Sequence, residues 1–189
     1  MTVLSEGLRY FNIGYLNQPD LINDMHQTLE KGELFYRWGE QSGEKNDFHQ
    51  AYEHLLKAED ENLNENQLIR KYEKIIQSCV YILKYELGEI VEVFNFLCHN
   101  KLKIELRDIN FPKELAQKMN HFMEIEQFFQ ENISMLTDSL NNIELSSSFK
   151  EERMKILETS ENSHSEVNEG IQAFYARVKE FLEKKKTEI

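Results

Sequence analysis

Little in this chain interrupts a helix. Its 189 residues include 7 glycines and 2 prolines, too few for the turns that strand-rich or loop-rich folds require. Of its 2 cysteines, Cys79 and Cys98, no disulfide framework or zinc spacing can be made. Both fall in an apolar helical pattern and are expected to be buried thiols. No stretch approaches the ~18 uninterrupted apolar residues of a spanning helix. The opening residues Met1 to Gly7 carry neither the basic nor the apolar region of a secretory leader, so the cytoplasm is the expected setting. Positive charge is scarce as well, with 22 Lys and Arg against 34 Asp and Glu, a net charge of −12. A field of that sign repels phosphate backbones and anionic lipid, which argues against nucleic acid and membrane surfaces as partners.

What is present is ordinary for a helical protein, with 40% hydrophobic and 30% charged residues, in a chain long enough to bury a core without staples. The acid is unevenly placed. Residues 1–63 carry 12 acidic against 5 basic side chains, whereas residues 64–110 carry 7 of each. That excess keeps a protein soluble, and it also suits a partner protein with a basic surface.

Hydrophobic periodicity supplies the architecture. A short helix is expected over 3–16, ended by the turn at Asn17-Gln18-Pro19-Asp20. A second runs over 20–42, with Leu29, Leu34, Phe35 and Trp38 on its apolar stripe and a bend or break allowed at Gly32; Gly43 ends it. A third covers 46–60, capped by Asn46 or Asp47. Residues 64–99 read as one long, central helix with a broad apolar face. Pro112 then opens a helix reaching about Asn142, and the last starts near Ser148, where Glu151 completes a capping-box pattern. The polar stretch Glu158–Glu169 requires either a helix crossing solvent or a break near Asn162-Ser163.

A seven-residue apolar repeat marks the last two helices: Leu115, Phe122, Phe129, Leu136 and Ile143, then Val167, Phe174 and Phe181, with Ile171 and Val178 between. Such seams pair helices side by side. The fold class is therefore all-α, five to seven helices in one domain: an N-terminal array over 1–62, a central helix over 64–99 and an antiparallel C-terminal hairpin over 112–186.

Trp38-Gly39 followed by Phe48, Ala51, Leu55 and Ala58 resembles a single tetratricopeptide helix pair over residues 32–61. Small residues there let two antiparallel helices approach closely. Ser42 stands where that family has an aromatic and Leu63 where it has proline, and no second copy lies 34 residues up or downstream. The resemblance implies peptide or protein binding; an ordinary helical hairpin is the alternative. Within it Tyr36 and Arg37 fall opposite the stripe of Phe35 and Trp38. Tyr, Trp and Arg are the residues that anchor interfaces, so Tyr36, Arg37, Trp38 and Tyr52 are the candidate contact residues.

Chemistry is hard to assemble from what remains. A di-iron bundle needs two Glu-x-x-His pairs; the chain has one, Glu161 and His164, and the pairs His49/Glu53 and His121/Glu124 lack counterparts. Neither cysteine has a basic setting, and no phosphate loop or nucleophile elbow occurs. The expected protein is thus a non-enzymatic interaction module without metal or cofactor. A His/Glu metal-binding bundle and a homo-oligomer joined through the heptad seam stand as alternatives.

Overall fold

The computed structural model describes residues 26–99, 111–142 and 147–187. Five α-helices follow one another: α1 His26–Ser42, α2 Lys45–Lys57, α3 Glu65–His99, α4 Phe111–Asn142 and α5 Ser147–Thr187, with a 3-10 turn at Asp60–Asn62. No strand occurs among the described residues, and the fold is all-α as the composition demanded. The helix expected over 3–16 and its Pro19 turn lie outside the described residues, as do residues 100–110 of the connection expected over 100–111, whose last residue Phe111 is already helical. No described helix is long and apolar enough to cross a membrane. The chain divides into two compact units, residues 1–78 and 79–189, so the division falls within α3.

In the N-terminal unit α1 and α2 form a hairpin. Gly43 adopts φ 68°, a left-handed conformation open to glycine, and its N–H returns to the Gly39 carbonyl at 2.8 Å. The expected cap of α2 is corrected. Glu44 occupies the N-cap without a side-chain bond, while Asp47 is buried in the first turn and accepts a hydrogen bond from the Ser42 hydroxyl at 2.7 Å. Gly32 does not break α1, which is continuous from His26 to Ser42. A Cβ there would lie 2.5 Å from Leu55 Cγ, and one on Gly39 would lie 2.8 Å from the Phe48 ring. Both glycines therefore mark close helix contact. Leu29, Tyr36, Phe48, Ala51, Leu55, Ala58, Ile69, Ile75 and Ile76 fill this core.

Helix α3 starts on a reciprocal cap: the Asn64 N–H donates to Gln67 Oε1 at 2.9 Å and the Gln67 N–H to Asn64 Oδ1 at 3.0 Å. One turn on, buried Lys71 donates from Nζ to the Ala58 carbonyl and to Asp60 Oδ1, both at 2.5 Å, and the Tyr72 hydroxyl donates to the other Asp60 oxygen. This ties the 3-10 turn to α3. Burial pushes the Asp60 carboxyl up, but the bonds from Lys71 and Tyr72 and the Lys71 charge outweigh it and hold the group below its usual range. Its contribution is present above that range and disappears as pH falls through the lowered value. Asp60→Ala leaves the ammonium one acceptor short. A fully buried pair broken in this way loses about 3–5 kcal/mol. With the Asp60 side chain 38% exposed, we expect about 2 kcal/mol, read as a lower urea midpoint at neutral pH.

In the C-terminal unit the heptad residues face inward: Phe122, Phe129, Leu136, Val167, Ile171 and Phe174 are buried, and Leu115, Val178 and Phe181 half-buried. Phe94 of α3 meets the Phe174 and Phe181 rings edge-on, at 5.4 and 5.8 Å. Glu89 accepts from Lys118 at 2.7 Å and Glu86 stands 3.9 Å from His121, so partners on α3 and α4 run in opposite directions. Lys84 lies 3.6 Å from Glu166 and Asn95 accepts from Arg177 at 2.6 Å, so α3 and α5 run in the same direction. The polar middle of α5 neither breaks nor crosses solvent. It is one helix in which Ser160 and His164 are buried. Two of its hydroxyls bond back on their own helix, Thr159 to the Lys155 carbonyl at 2.8 Å and Ser160 to that of Ile156 at 3.0 Å.

Candidate protein-docking surface

The buried stripe of α1 is Leu29, Gly32, Glu33, Tyr36 and Gly39, spaced at three and four residues. This places Tyr36 inward, against expectation. Its ring is 2% exposed, edge-on to Phe48 at 5.9 Å, with the Lys74 ammonium 4.1 Å from its centre. Tyr52 is 7% exposed and belongs to the same core. Phe35 and Trp38, assigned from sequence to the apolar stripe, are only half-buried at its rim, and Arg37 is exposed. Of the four candidate residues, then, Arg37 and Trp38 reach the surface, whereas Tyr36 and Tyr52 support the hairpin beneath.

Phe35 joins Trp38 edge-on at 5.1 Å. Its other neighbour is His54 of α2, stacked at 5.3 Å with planes 3° apart. Leu56, 41% exposed, also lies on α2. The spacing of Phe35 and Trp38 was a usable signal of their pairing; the part played by His54 was not, because it comes from another helix. His54 Nδ1 is buried without a hydrogen-bond partner. Burial first, then the charges of Lys57 and Lys31, push its pKa below the ordinary 6.5, against an upward pull from Glu53. The exposed acids Glu30, Glu40 and Glu53 lie on the same two helices and Glu44 in the turn between them, and Glu33 forms an ion pair with Arg70 of α3.

Of the histidines weighed for metal, His121 lies beside its sequence partner Glu124, whereas His164 faces a different carboxylate from the one its spacing suggested. Glu161 is exposed, while His164 is buried, stacked on Phe129 at 4.2 Å. The carboxylate beside it is Glu126 of α4, 3.7 Å from Nε2. Burial lowers the His164 pKa, and Glu126 opposes that. His121 has Glu124 3.8 Å from Nδ1 and Glu86 3.9 Å from Nε2, a carboxylate at each end of the ring. His49 is half-buried and Glu53 exposed. The Cys79 thiol is buried, and that burial raises its pKa far above the ordinary range. Such a thiol is a poor nucleophile.

No family model matches this chain, and neither does any curated protein or solved structure.

Proposed function

We propose that this protein is a non-enzymatic protein–protein interaction module that docks a partner on the α1–α2 hairpin through Trp38 and Arg37. The observation that carries this reading is the half-exposed Phe35–Trp38 pair with exposed Arg37 beside it. Aromatic side chains and Arg on a rigid support supply most of the energy in protein interfaces. The support is firm here, since glycine contacts fix the two helices against each other. The acids on the same helices suit a partner with a basic surface, which they would steer and orient. The tetratricopeptide-like reading of residues 32–61 belongs to this proposal. Gly39, Ala51 and Ala58 are all buried, as a close helix pair requires.

The rest of the fold serves as scaffold in this reading. The 35-residue α3 is its backbone. Helices α4 and α5 are taken as an antiparallel pair, supported by their opposite directions along α3 and by the meeting of Phe129 with His164. The seam residues Phe122, Phe129, Leu136 and Phe174 are spent on this packing, which leaves little of the seam for self-assembly. The module is proposed to act in the cytoplasm, without metal or cofactor.

The test is capture from native lysate by the immobilised protein at low and high salt. The unchanged chain should retain a partner at low salt. Arg37→Glu should reduce that retention at least tenfold, a loss of ~1.4 kcal/mol or more, with thermal stability unchanged. Equal capture by both proteins would remove Arg37 from the site. Failure to retain any partner at low salt would overturn the module reading itself.

A further inference from the structure

We propose that His54 is a proton-operated prop beneath the docking surface: a proton taken up by its ring below neutral pH breaks the stack with Phe35 and re-sets Trp38. The inference rests on the docking reading for its biological meaning and deepens it by naming how the surface is regulated.

The geometry is a relay of three rings. Trp38 leans edge-on against Phe35 at 5.1 Å, and Phe35 lies flat on His54 at 5.3 Å. Neutral imidazole tolerates this place because one of its nitrogens carries no proton. Imidazolium carries a proton on both, and Nδ1 is buried without a hydrogen-bond partner. A buried donor without a partner is costly, more so when charged.

The surrounding charges add to this. Lys31 of α1 and Lys57 of α2 repel a cation on the ring, and Glu53 of α2 alone attracts one. The face of Phe35 also favours a cation, but a ring free to turn outward gains water instead. Burial and the two lysines together favour the neutral form in the fold. The inward ring is therefore fully stable above the ordinary value of 6.5, and its stability falls as pH drops below that value, where a released ring binds a proton more readily than the buried one. The response lies in the mildly acidic range, where histidine is the side chain that switches.

Trp38 is the only tryptophan in the chain, so its fluorescence reads the end of the relay directly. The experiment is a titration of the full-length protein from about pH 8 to about pH 5, recording Trp38 emission and far-UV helicity together. The expected result is a sigmoidal change in emission with a midpoint below 6.5 and unchanged helicity. His54→Gln should abolish it. His164→Gln should leave it in place. Lys57→Gln, at an exposed position that does not put folding at risk, should raise the midpoint, because it removes a charge that repels the protonated ring.

A flat emission profile, a change that survives His54→Gln, or a change that coincides with loss of helicity would each overturn the prop. None of these needs a partner. A flat titration therefore leaves the docking reading standing, and failed capture leaves the titration interpretable.

Discussion

Phe129→Glu unfolds the C-terminal unit. Phe129 is 0% exposed and its ring lies against His164 at 4.2 Å. Emptying a buried Phe site costs about 3–5 kcal/mol, and placing a carboxylate there adds several more unless it is paired. His164 is the adjacent polar group, and burial holds it neutral at pH 7, so the new charge has no cation to meet. A combined loss of about 6 kcal/mol is comparable to the whole stability of many domains. Circular dichroism should show large loss of helicity and no cooperative melting for the residues of that unit. Phe128→Glu is the control. Phe128 is 37% exposed, and its replacement should cost about 1 kcal/mol or less. The alternative in which the seam joins copies of the chain predicts the reverse for Phe129→Glu, a dissolved oligomer with helicity intact. The inward placement of the ring changes that outcome.

Gly32→Ala should destabilise the N-terminal unit by about 2 kcal/mol, although alanine is the better helix former. The added Cβ would stand 2.5 Å from Leu55 Cγ and 3.1 Å from the Leu55 backbone nitrogen. Leu55 is itself 0% exposed. It has nowhere to retreat, and relieving the overlap means parting the two helices. Overpacking of this kind costs about 1–3 kcal/mol and outweighs a propensity gain of at most about 1 kcal/mol. Gly32→Val should be worse. Gly88→Ala is the opposite case, because a Cβ there meets nothing within 4 Å; it should stabilise by up to about 1 kcal/mol. Urea midpoints of the two variants should move in opposite directions, and movement in the same direction would contradict the close α1–α2 contact.

The pair of glycines also explains where the sequence could be read and where it could not. Periodicity located the helices well when apolar residues occupied their inward positions. In α3 the residues from Ile69 to Ile90 repeat without a gap, and on α4 the beat of Phe122, Phe129 and Leu136 fell on buried sites. In α1 the inward positions are filled by Gly32, Gly39 and Glu33 as well as Leu29 and Tyr36. Two glycines and a glutamate count for nothing in a hydrophobic pattern. The stripe therefore slipped to Leu34, Phe35 and Trp38, and Tyr36 came out on the wrong side. Glu33 is tolerated inside because Arg70 pairs with it, a contact across 37 residues that no local spacing contains.

Other differences have local causes. The polarity of the middle of α5 suggests a solvent-crossing helix or a break, yet Ser160 and His164 are buried there and the hydroxyls of Thr159 and Ser160 bond back to carbonyls one turn earlier. The Asn64–Gln67 cap is legible in the sequence, being a capping residue followed three later by an amide. The Lys71–Asp60–Tyr72 cluster was not legible, since it depends on how the 3-10 turn folds back on α3. The same holds for the candidate site. Arg37 and Trp38 could be picked out by residue type; His54 could not.

The burial of Cys79 has a consequence for kinetics. A thiol that is 0% exposed and held protonated cannot be alkylated while its helix is shut. With Cys98 replaced by serine, the rate at which a thiol reagent consumes the remaining thiol is set by how often α3 opens around Cys79, and by how fast it closes again. The chain thus carries a clock of its own. Slow reagent gives the free energy of opening and fast reagent gives its rate, both from one atom and under conditions where almost every molecule is folded.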